Sequence, residues 1–312
     1  MNQYSFTLLM PIQNSNLGAK VGDLNEYLRL IFQSKVKAFL LLSCFISFKR
    51  KNSRMSVPKP LIFVTNDDGI FAKGIATLVE AVKPFGEVVV IAPDKPQSGM
   101  GHAITINSIL RMNPSDIFGD IKAFTCSGTP VDCVKLGIYE LMKRKPDLIV
   151  SGINHGDNAS TNVLYSGTMS AAVEGAIEGI PSIGFSLADY HADADFSGAK
   201  IIVQKMVQSV LENQMPKGTC LNVNVPSIPS SEIKGIKICR GAHAMWADFF
   251  DKRMDQFGNP YFWLSGKFEA ADKTEDSDLW ALEHGFASVV PIQFDMTAYQ
   301  AINDLKNWNI EL

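Results

Sequence analysis

One stretch decides the fold of this chain: Leu61-Ile62-Phe63-Val64-Thr65-Asn66-Asp67-Asp68-Gly69-Ile70. Its apolar start predicts a buried strand, because a strand covered on both faces is apolar throughout. The strand ends at two adjacent carboxylates, which repel each other when both are ionised. A fold that keeps Asp67 and Asp68 together therefore favours a bound cation with hard oxygen ligands, such as Mg²⁺ or Mn²⁺. A plain polar turn is the simpler alternative.

The residues after this stretch alternate between strand and helix patterns. A helix is predicted from about Gly74 to Lys83, a turn at Gly86 and a strand from Glu87 to Ala92, which make a βαβ unit. Strands are also predicted at 147–150, 182–185 and 220–225, and helices from Thr129-Pro130, at 167–176 and at 198–212. The strand at 220–225 alternates apolar and polar residues, as a half-buried strand does. The pattern predicts an α/β fold with a mostly parallel sheet covered on both faces.

The C-terminal part is less regular and rich in aromatic residues. The sequence Phe257-Gly258-Asn259-Pro260-Tyr261-Phe262-Trp263-Leu264 predicts a β-hairpin that turns near Gly258 and Asn259. Aromatic residues of this kind pack either on another subunit or on the chain's own core, and the pattern alone does not distinguish the two.

Composition excludes several classes of protein. A net charge of -3 over 312 residues gives no general reason to expect a nucleic-acid partner. The five cysteines are widely spaced and form no Cys-x-x-Cys pair, so we expect buried thiols in a reducing compartment, by default the cytoplasm. The apolar run at 38–48 is too short to span a bilayer. We therefore expect no membrane partner, with a weak anchor at this run as the alternative.

The first 55 residues differ from the rest, since they show no clear period before the run at 38–48. We expect a poorly ordered N-terminal extension at 1–55, of which residues 1–54 are not translated if synthesis starts at Met55. The folded domain is then expected at 56–312, with the hairpin around 240–270.

Polar residues lie at the ends of three predicted strands, where a doubly wound sheet binds its ligands. Asn66, Asp67 and Asp68 follow the first strand, Ser98 lies in the loop after the second, and Asn154 follows the third. Their oxygens suit Mg²⁺ or Mn²⁺. The five histidines lack the spacing of a zinc site, so each is expected to be structural or solvent-exposed.

A further candidate lies at the start of a predicted helix, in Tyr165-Ser166-Gly167-Thr168. Backbone N–H groups and two hydroxyls at a helix N-terminus can bind a phosphate. Ordinary capping explains Ser166 and Thr168 equally well. Neither a Gly-x-Gly-x-x-Gly motif nor a Walker loop is present in the sequence.

Five linked motifs resemble the stationary-phase survival protein SurE family in order and spacing. They are Asn66-Asp67-Asp68-Gly69-Ile70; Ala92-Pro93-Asp94 with Gln97-Ser98-Gly99 and Gly101-His102-Ala103-Ile104-Thr105; Gly128-Thr129-Pro130 with Asp132-Cys133-Val134; Ser151-Gly152-Ile153-Asn154 with Gly156; and Tyr165-Ser166-Gly167-Thr168. The resemblance covers Leu61 to about Tyr299, and residues 1 to about 55 have no counterpart in it.

The resemblance implies a metal-dependent phosphomonoesterase that acts on nucleoside 5′-monophosphates, and on 3′-monophosphates as well. It also implies a Rossmann-like three-layer core, with a protruding C-terminal hairpin that assembles a homodimer or homotetramer. One divalent ion per subunit, Mn²⁺ or Mg²⁺, would be held by Asp67, Asp68, Ser98 and Asn154.

Two segments bear on that resemblance. The segment from Trp246 to Gly266 resembles the family's extended hairpin, which favours a contact between subunits. The segment Ala159-Ser160-Thr161-Asn162 departs from the glycine-containing loop common in the family, so the shape of this loop is an open question.

Our mechanistic hypothesis is that water, activated by the metal, attacks phosphorus in line. Asp68 is the favoured proton acceptor, without excluding Asp67, while Asn66, Ser166, Gly167 and Thr168 hold the phosphoryl group. Three alternatives stay open: an acyl-phosphate mechanism through an aspartate, a non-catalytic nucleotide-binding module, and an enzyme acting mainly on short polyphosphate.

Overall fold

The computed structural model describes residues 59–272, 274–308 and 310, together with Arg29 and Phe32. The expected extension at 1–55 and the alternative start at Met55 therefore fall outside the described part, apart from those two residues. Lys59–Leu312 forms one compact unit.

Nine strands form the central sheet, in the order β3-β4-β2-β1-β5-β6-β7-β11-β8. Their bounds are β1 Leu61–Thr65, β2 Glu87–Pro93, β3 Met112–Ser115, β4 Lys122–Cys126, β5 Leu148–His155, β6 Ser182–Leu187, β7 Thr219–Val225, β8 Gly235–Ile238 and β11 Phe286–Gln293. The neighbouring strands β4, β2, β1, β5, β6 and β7 run parallel to one another. Strand β3 runs antiparallel to β4, and β11 runs antiparallel to β7. The mostly parallel sheet is confirmed.

Helices cover both faces of the sheet. They are α1 Lys73–Val82, α2 Pro130–Leu136, α3 Gly167–Ile177, α4 Ser197–Glu212, α5 Asp278–Glu283 and α6 Tyr299–Lys306. Ile62 and Val64 of β1 pack with α1 and α4, whereas Phe63 packs with α2 and α3. This alternation explains the continuous apolar run, because both faces of β1 are buried. The expected three-layer α/β core is confirmed.

Helix α2 begins where its capping signal predicts. The Thr129 hydroxyl accepts a hydrogen bond from the Asp132 backbone N–H at 3.2 Å, and the Asp132 carboxylate accepts one from the Thr129 N–H at 2.9 Å. This is a capping box, with Pro130 in the first turn.

Strand β7 contradicts its predicted half-buried character. Asn222 and Asn224 are only 1% and 0% exposed. Asn224 accepts a hydrogen bond from the Asn158 backbone N–H at 2.7 Å, and Asn222 donates one to the Asn158 carbonyl at 2.7 Å. The alternation in sequence reflects a buried amide network, because paired polar groups tolerate burial.

Strand β5 also differs from expectation, since it continues past Val150 to His155. Its register with β6 shifts between Ser151 and Asn154. Asn154 therefore lies at the end of a strand and not in a loop, because Ile153 remains in the buried core and carries the strand onward.

The predicted hairpin is confirmed. Strands β9 Ala244–Met254 and β10 Pro260–Ala270 pair antiparallel around a turn in which Gly258 has a φ of 81°. On one face the register places six large apolar residues, with Asp248 and Lys252 among them; the apolar set is Trp246, Phe250, Met254, Phe262, Leu264 and Phe268. We call this set the hairpin face. Most of it is exposed, including Leu264 at 65%.

Two further expectations concern cysteines and membranes. Cys126, Cys133, Cys220 and Cys239 are buried and free, as expected, and Cys44 lies outside the described residues. Among the residues that the structure describes, no helix is long and apolar enough to cross a bilayer.

Candidate active site

The candidate site lies where β1 ends and α3 begins. Asp67, the second residue after β1, is 3% exposed. Its Oδ1 accepts a hydrogen bond from the Thr168 hydroxyl at 2.5 Å. A Cβ atom on Gly167 would lie 2.7 Å from the Asp67 Cβ, which only glycine avoids at this position. The first turn of α3 therefore packs directly on Asp67.

Burial makes Asp67 unusual electrostatically. Desolvation, followed by the charge of Asp68, raises the pKa of Asp67 from 3.8 to about 6, although the hydrogen bond from Thr168 opposes this shift. The carboxylate is ionised at neutral pH at a cost in free energy. A bound cation would offset that cost.

Asp68 is half-buried and contacts the end of β5. Its Oδ2 accepts a hydrogen bond from the His155 backbone N–H at 3.3 Å, and the His155 Nδ1 lies 3.5 Å from the same oxygen. The His155 ring packs edge-to-face on Phe196. Sequence reasoning missed this neighbour of Asp68. The only signal in the sequence for this contact was that His155 follows Asn154 directly.

Asn154 is oriented by its own backbone neighbours. Its Nδ2 donates to the His155 carbonyl at 3.1 Å and to the Gly156 carbonyl at 2.9 Å. This network assigns the amide orientation. With both amide hydrogens used, Oδ1 is the atom that can bind a cation.

The residue before Ser98 is attached to the site through its backbone. The N–H of Gln97 donates to the Asp67 carbonyl at 2.7 Å, which fixes the residue before Ser98. The Ser98 residue itself is exposed, and no hydrogen bond within the described part of the chain uses its hydroxyl.

The remaining predicted residues have structural roles in addition to any catalytic one. Asn66 is fully buried and donates from Nδ2 to the Gly69 carbonyl at 2.9 Å, while its Oδ1 has no partner among the described residues. Ser166 caps α3, since its hydroxyl accepts from the Met169 N–H at 3.0 Å. Ser166 thus caps α3, whereas its binding of phosphate stays a prediction.

The donor set fits a hard divalent cation better than zinc. Within residues 59–272, 274–308 and 310, no group of three or more His, Cys, Asp or Glu side chains could hold a metal. The predicted set instead combines two carboxylates with an amide oxygen and a hydroxyl. Mg²⁺ and Mn²⁺ accept such ligands, with water completing the shell. The raised pKa of Asp67 and the oriented Asn154 are consistent with that fit.

Known proteins match this chain in sequence and in fold. The family model described as survival protein SurE matches residues 62–248. This chain belongs to the SurE family. It is 58% identical to the 5'-nucleotidase SurE of Cytophaga hutchinsonii, over 80% of this chain and 97% of that protein. It is 44% identical to the 5'-nucleotidase SurE of Bacteroides fragilis, over 82% and 100%.

A solved structure supports the same assignment. The crystal structure of the SurE protein from Aquifex aeolicus superposes with a TM-score of 0.70 at 40% sequence identity. The match covers 79% of this chain and 98% of that one. The family resemblance predicted from the five motifs is confirmed.

The loop that departs from the SurE pattern has a defined shape. Ser160 has a φ of 54°, a left-handed conformation that is uncommon without glycine. Its N–H donates to the Asp278 carboxylate at 2.8 Å, and its hydroxyl donates to the Ala242 carbonyl at 2.8 Å. These bonds hold Ser160 in this conformation.

The same loop joins the site to the hairpin. The Thr161 hydroxyl donates to the Ala244 carbonyl at 2.9 Å, and the Trp246 indole N–H donates to the Asn162 side chain at 2.8 Å. The loop continues through the short helix Ser160–Leu164 to the cap of α3. The base of the hairpin and the candidate site are therefore connected by hydrogen bonds.

Proposed function

We propose that this chain is a divalent-metal-dependent nucleotidase that hydrolyses nucleoside 5′-monophosphates, and 3′-monophosphates as well, to nucleoside and phosphate. The observation that carries the proposal is the buried Asp67, hydrogen-bonded by Thr168 at the N-terminus of α3 and adjacent to Asp68. Relatives named 5'-nucleotidase SurE support the substrate class.

Asp67, Asp68, Ser98 and Asn154 would hold one Mn²⁺ or Mg²⁺. When bound, such an ion neutralises charge on the phosphoryl group and lowers the pKa of water. Ser166 caps α3, and Gly167 and Thr168 are its first residues; we propose that these three residues hold the phosphate, which the helix dipole favours at this end.

Proton transfer is assigned to the half-buried carboxylate. Asp68 is the candidate acceptor for the proton of the attacking water, because the buried Asp67 already accepts a hydrogen bond from Thr168. Asn66 donates a hydrogen bond to the Gly69 carbonyl and so supports the turn after β1. From this turn, Asn66 would also help to hold the phosphoryl group.

Phosphate release by the purified full-length protein tests the proposal. The substrates are 5′-AMP and 3′-AMP, each with Mn²⁺, with Mg²⁺ and with EDTA. We expect release from 5′-AMP that requires the metal and is lost with EDTA. Tight AMP binding without release would favour the non-catalytic alternative, and faster release from tripolyphosphate would favour the polyphosphate alternative.

An isotope experiment separates the two hydrolytic routes. After turnover in ¹⁸O-labelled water, direct attack by water places the label in phosphate alone. Label in the side chain of Asp67 or Asp68 would instead indicate an acyl-phosphate intermediate.

Assembly and location complete the proposal. The exposed hairpin face supports a homodimer or homotetramer, since large exposed apolar patches mark interaction surfaces. Buried free cysteines support a cytoplasmic location. We also propose that the folded domain covers 56–312 and that translation starts at Met55. Peptides from upstream of Met55 in mass spectra of the native protein would contradict that start.

A further inference from the structure

Helix α3 carries a buried acidic residue that the proposed mechanism does not use. The Glu174 side chain is 3% exposed. Its Oε2 lies 2.9 Å from the His102 Nε2, and its Oε1 lies 2.5 Å from the Lys135 Nζ. Burying a carboxylate is unfavourable unless it is paired. The two contacts explain how Glu174 is tolerated there.

The partner of Glu174 belongs to the segment that carries Ser98. This segment is fixed at its start, where the Gln97 N–H donates to the Asp67 carbonyl at 2.7 Å. Gly99 and Gly101 follow with φ angles of 73° and 55°. His102 then ends the segment on α3. Ser98 thus lies between one attachment to Asp67 and another to Glu174.

Glycines make the second attachment important. Glycine has more backbone freedom than any other residue, so a segment with two of them is poorly ordered unless its ends are held. A backbone bond from the Gly101 N–H to the Tyr165 carbonyl, at 3.2 Å, adds only a weak restraint. The contact between His102 and Glu174 is the first side-chain attachment after the glycines, and the Thr129 hydroxyl, which donates to the Ala103 carbonyl at 2.8 Å, holds the chain further along.

We propose that His102 and Glu174 are positioning residues that hold Ser98 at the metal site. The inference rests on the proposed function, since it takes Ser98 as a ligand. Neither residue is proposed to touch substrate. The helix supplies the geometry, because α3 contacts Asp67 through Thr168 in its first turn and His102 through Glu174 further along. Groups that orient metal ligands typically change metal affinity by 10- to 100-fold.

Charge favours the contact as well. Burial alone would raise the pKa of Glu174, but the hydrogen bond from His102 and the ion pair with Lys135 lower it below its ordinary value. The carboxylate is therefore a permanent acceptor near neutral pH. A hydrogen-bond donor at position 102 therefore has a constant acceptor in the Glu174 carboxylate.

Two substitutions at position 102 test the proposal in the full-length protein. His102→Leu removes the donor, whereas His102→Gln places an amide N–H near the position of Nε2. Mn²⁺ binding is measured by calorimetric titration. We expect the Mn²⁺ dissociation constant to rise about 10-fold in His102→Leu and to stay within about 3-fold of the wild type in His102→Gln.

Turnover distinguishes positioning from chemistry. At saturating Mn²⁺, we expect kcat for 5′-AMP in His102→Leu to stay within about 3-fold of the wild type, because the reacting atoms are not touched. A 100-fold loss of kcat at saturating metal would overturn the positioning role. Circular dichroism and a thermal melt establish that each variant is folded.

A matched control lies at the C-terminal cap of the same helix. Glu178 is ion-paired with the Lys145 Nζ at 3.3 Å and contacts Tyr139, away from the Ser98 segment. Glu178→Gln should leave Mn²⁺ binding unchanged. Equal binding by the wild type and His102→Leu, or an equal loss in His102→Gln, would overturn the inference alone. Absence of Mn²⁺ binding by the wild type would overturn the proposed metal site, and this inference with it.

Discussion

The strand-end site and the hairpin break opposite rules of protein architecture. At the site, the chain buries a carboxylate, Asp67, beside a second carboxylate. On the hairpin face, it exposes aromatic and aliphatic side chains such as Phe250 and Leu264. Charged groups are normally outside and large apolar surfaces inside. Each region therefore carries a free-energy cost: the buried carboxylate at the site, and the exposed apolar surface on the hairpin.

The difference between the regions lies in what would relieve each cost. A cation relieves two buried carboxylates, and a second apolar surface relieves an exposed one. The two regions meet at Ser160, Thr161 and Asn162, which bond to the hairpin base. Substitutions in each region can therefore test whether catalysis, self-association and stability can be changed independently.

The largest expected effect is on chemistry. Asp67→Asn removes a predicted metal ligand but keeps the shape and the acceptor for the Thr168 hydroxyl. We expect kcat/KM for 5′-AMP to fall by at least about 10³-fold, roughly 4 kcal/mol of transition-state stabilisation. Sedimentation should be unchanged. Substantial remaining activity would remove Asp67 from the site.

The same substitution should stabilise the metal-free protein. The pKa of Asp67 is raised by folding, so stability is highest when Asp67 is protonated and falls as the pH rises from 3.8 through about 6. In EDTA at pH 7.5, Asp67→Asn should gain about 3 kcal/mol in unfolding free energy, at 1.36 kcal/mol per pKa unit. The gain should vanish near pH 3.5. Urea unfolding at both pH values measures it, and an equal gain at both would contradict the assignment to Asp67.

An intermediate effect is expected on assembly. Leu264→Glu places a charge on the hairpin face, opposite Phe250. We expect self-association to weaken by about 100-fold, or about 2.7 kcal/mol, while kcat stays within about 3-fold. Ser265→Glu, its neighbour on the opposite face, is the control. Analytical ultracentrifugation of both variants would contradict this role of the hairpin face if they dissociated alike.

Local patterns explain what could be predicted from the sequence. The β1 run, the acidic turn after it and the cap at Thr129 depend on neighbours within a few residues. The hairpin turn at Gly258 does too. Strand β3 could not be found in this way, because it contains Pro114, is partly exposed and exists through pairing with β4.

Contacts distant in sequence explain the remainder. An alternating strand has the same sequence whether its polar residues face water or, like Asn224, a buried amide 66 residues away. The contact of His155 with Asp68 spans 87 residues. The candidate ligands were predictable only because parallel strands bring their carboxyl ends together. Their roles at the metal site stay a prediction until metal binding is measured.

The smallest expected effect is at the junction of the two regions. Asp278 is buried and accepts hydrogen bonds from the Ser160 N–H at 2.8 Å and the Ala242 N–H at 2.9 Å. Asp278→Asn turns one acceptor into a donor that faces an N–H group. Leaving a buried donor unsatisfied costs about 1–3 kcal/mol, and we expect about 1–2 kcal/mol here.

Urea unfolding measures that loss, with the exposed Asp276→Asn as the control, for which a change below about 1 kcal/mol is expected. Mn²⁺ affinity of Asp278→Asn should change by less than about 3-fold, because the contacts of Asp67 with Thr168 and Gln97 are untouched. A larger loss of affinity would mean that the hairpin base and the metal site act as one unit. The two regions would then not be separable, since a change at the base of the hairpin would alter the chemistry at the strand ends.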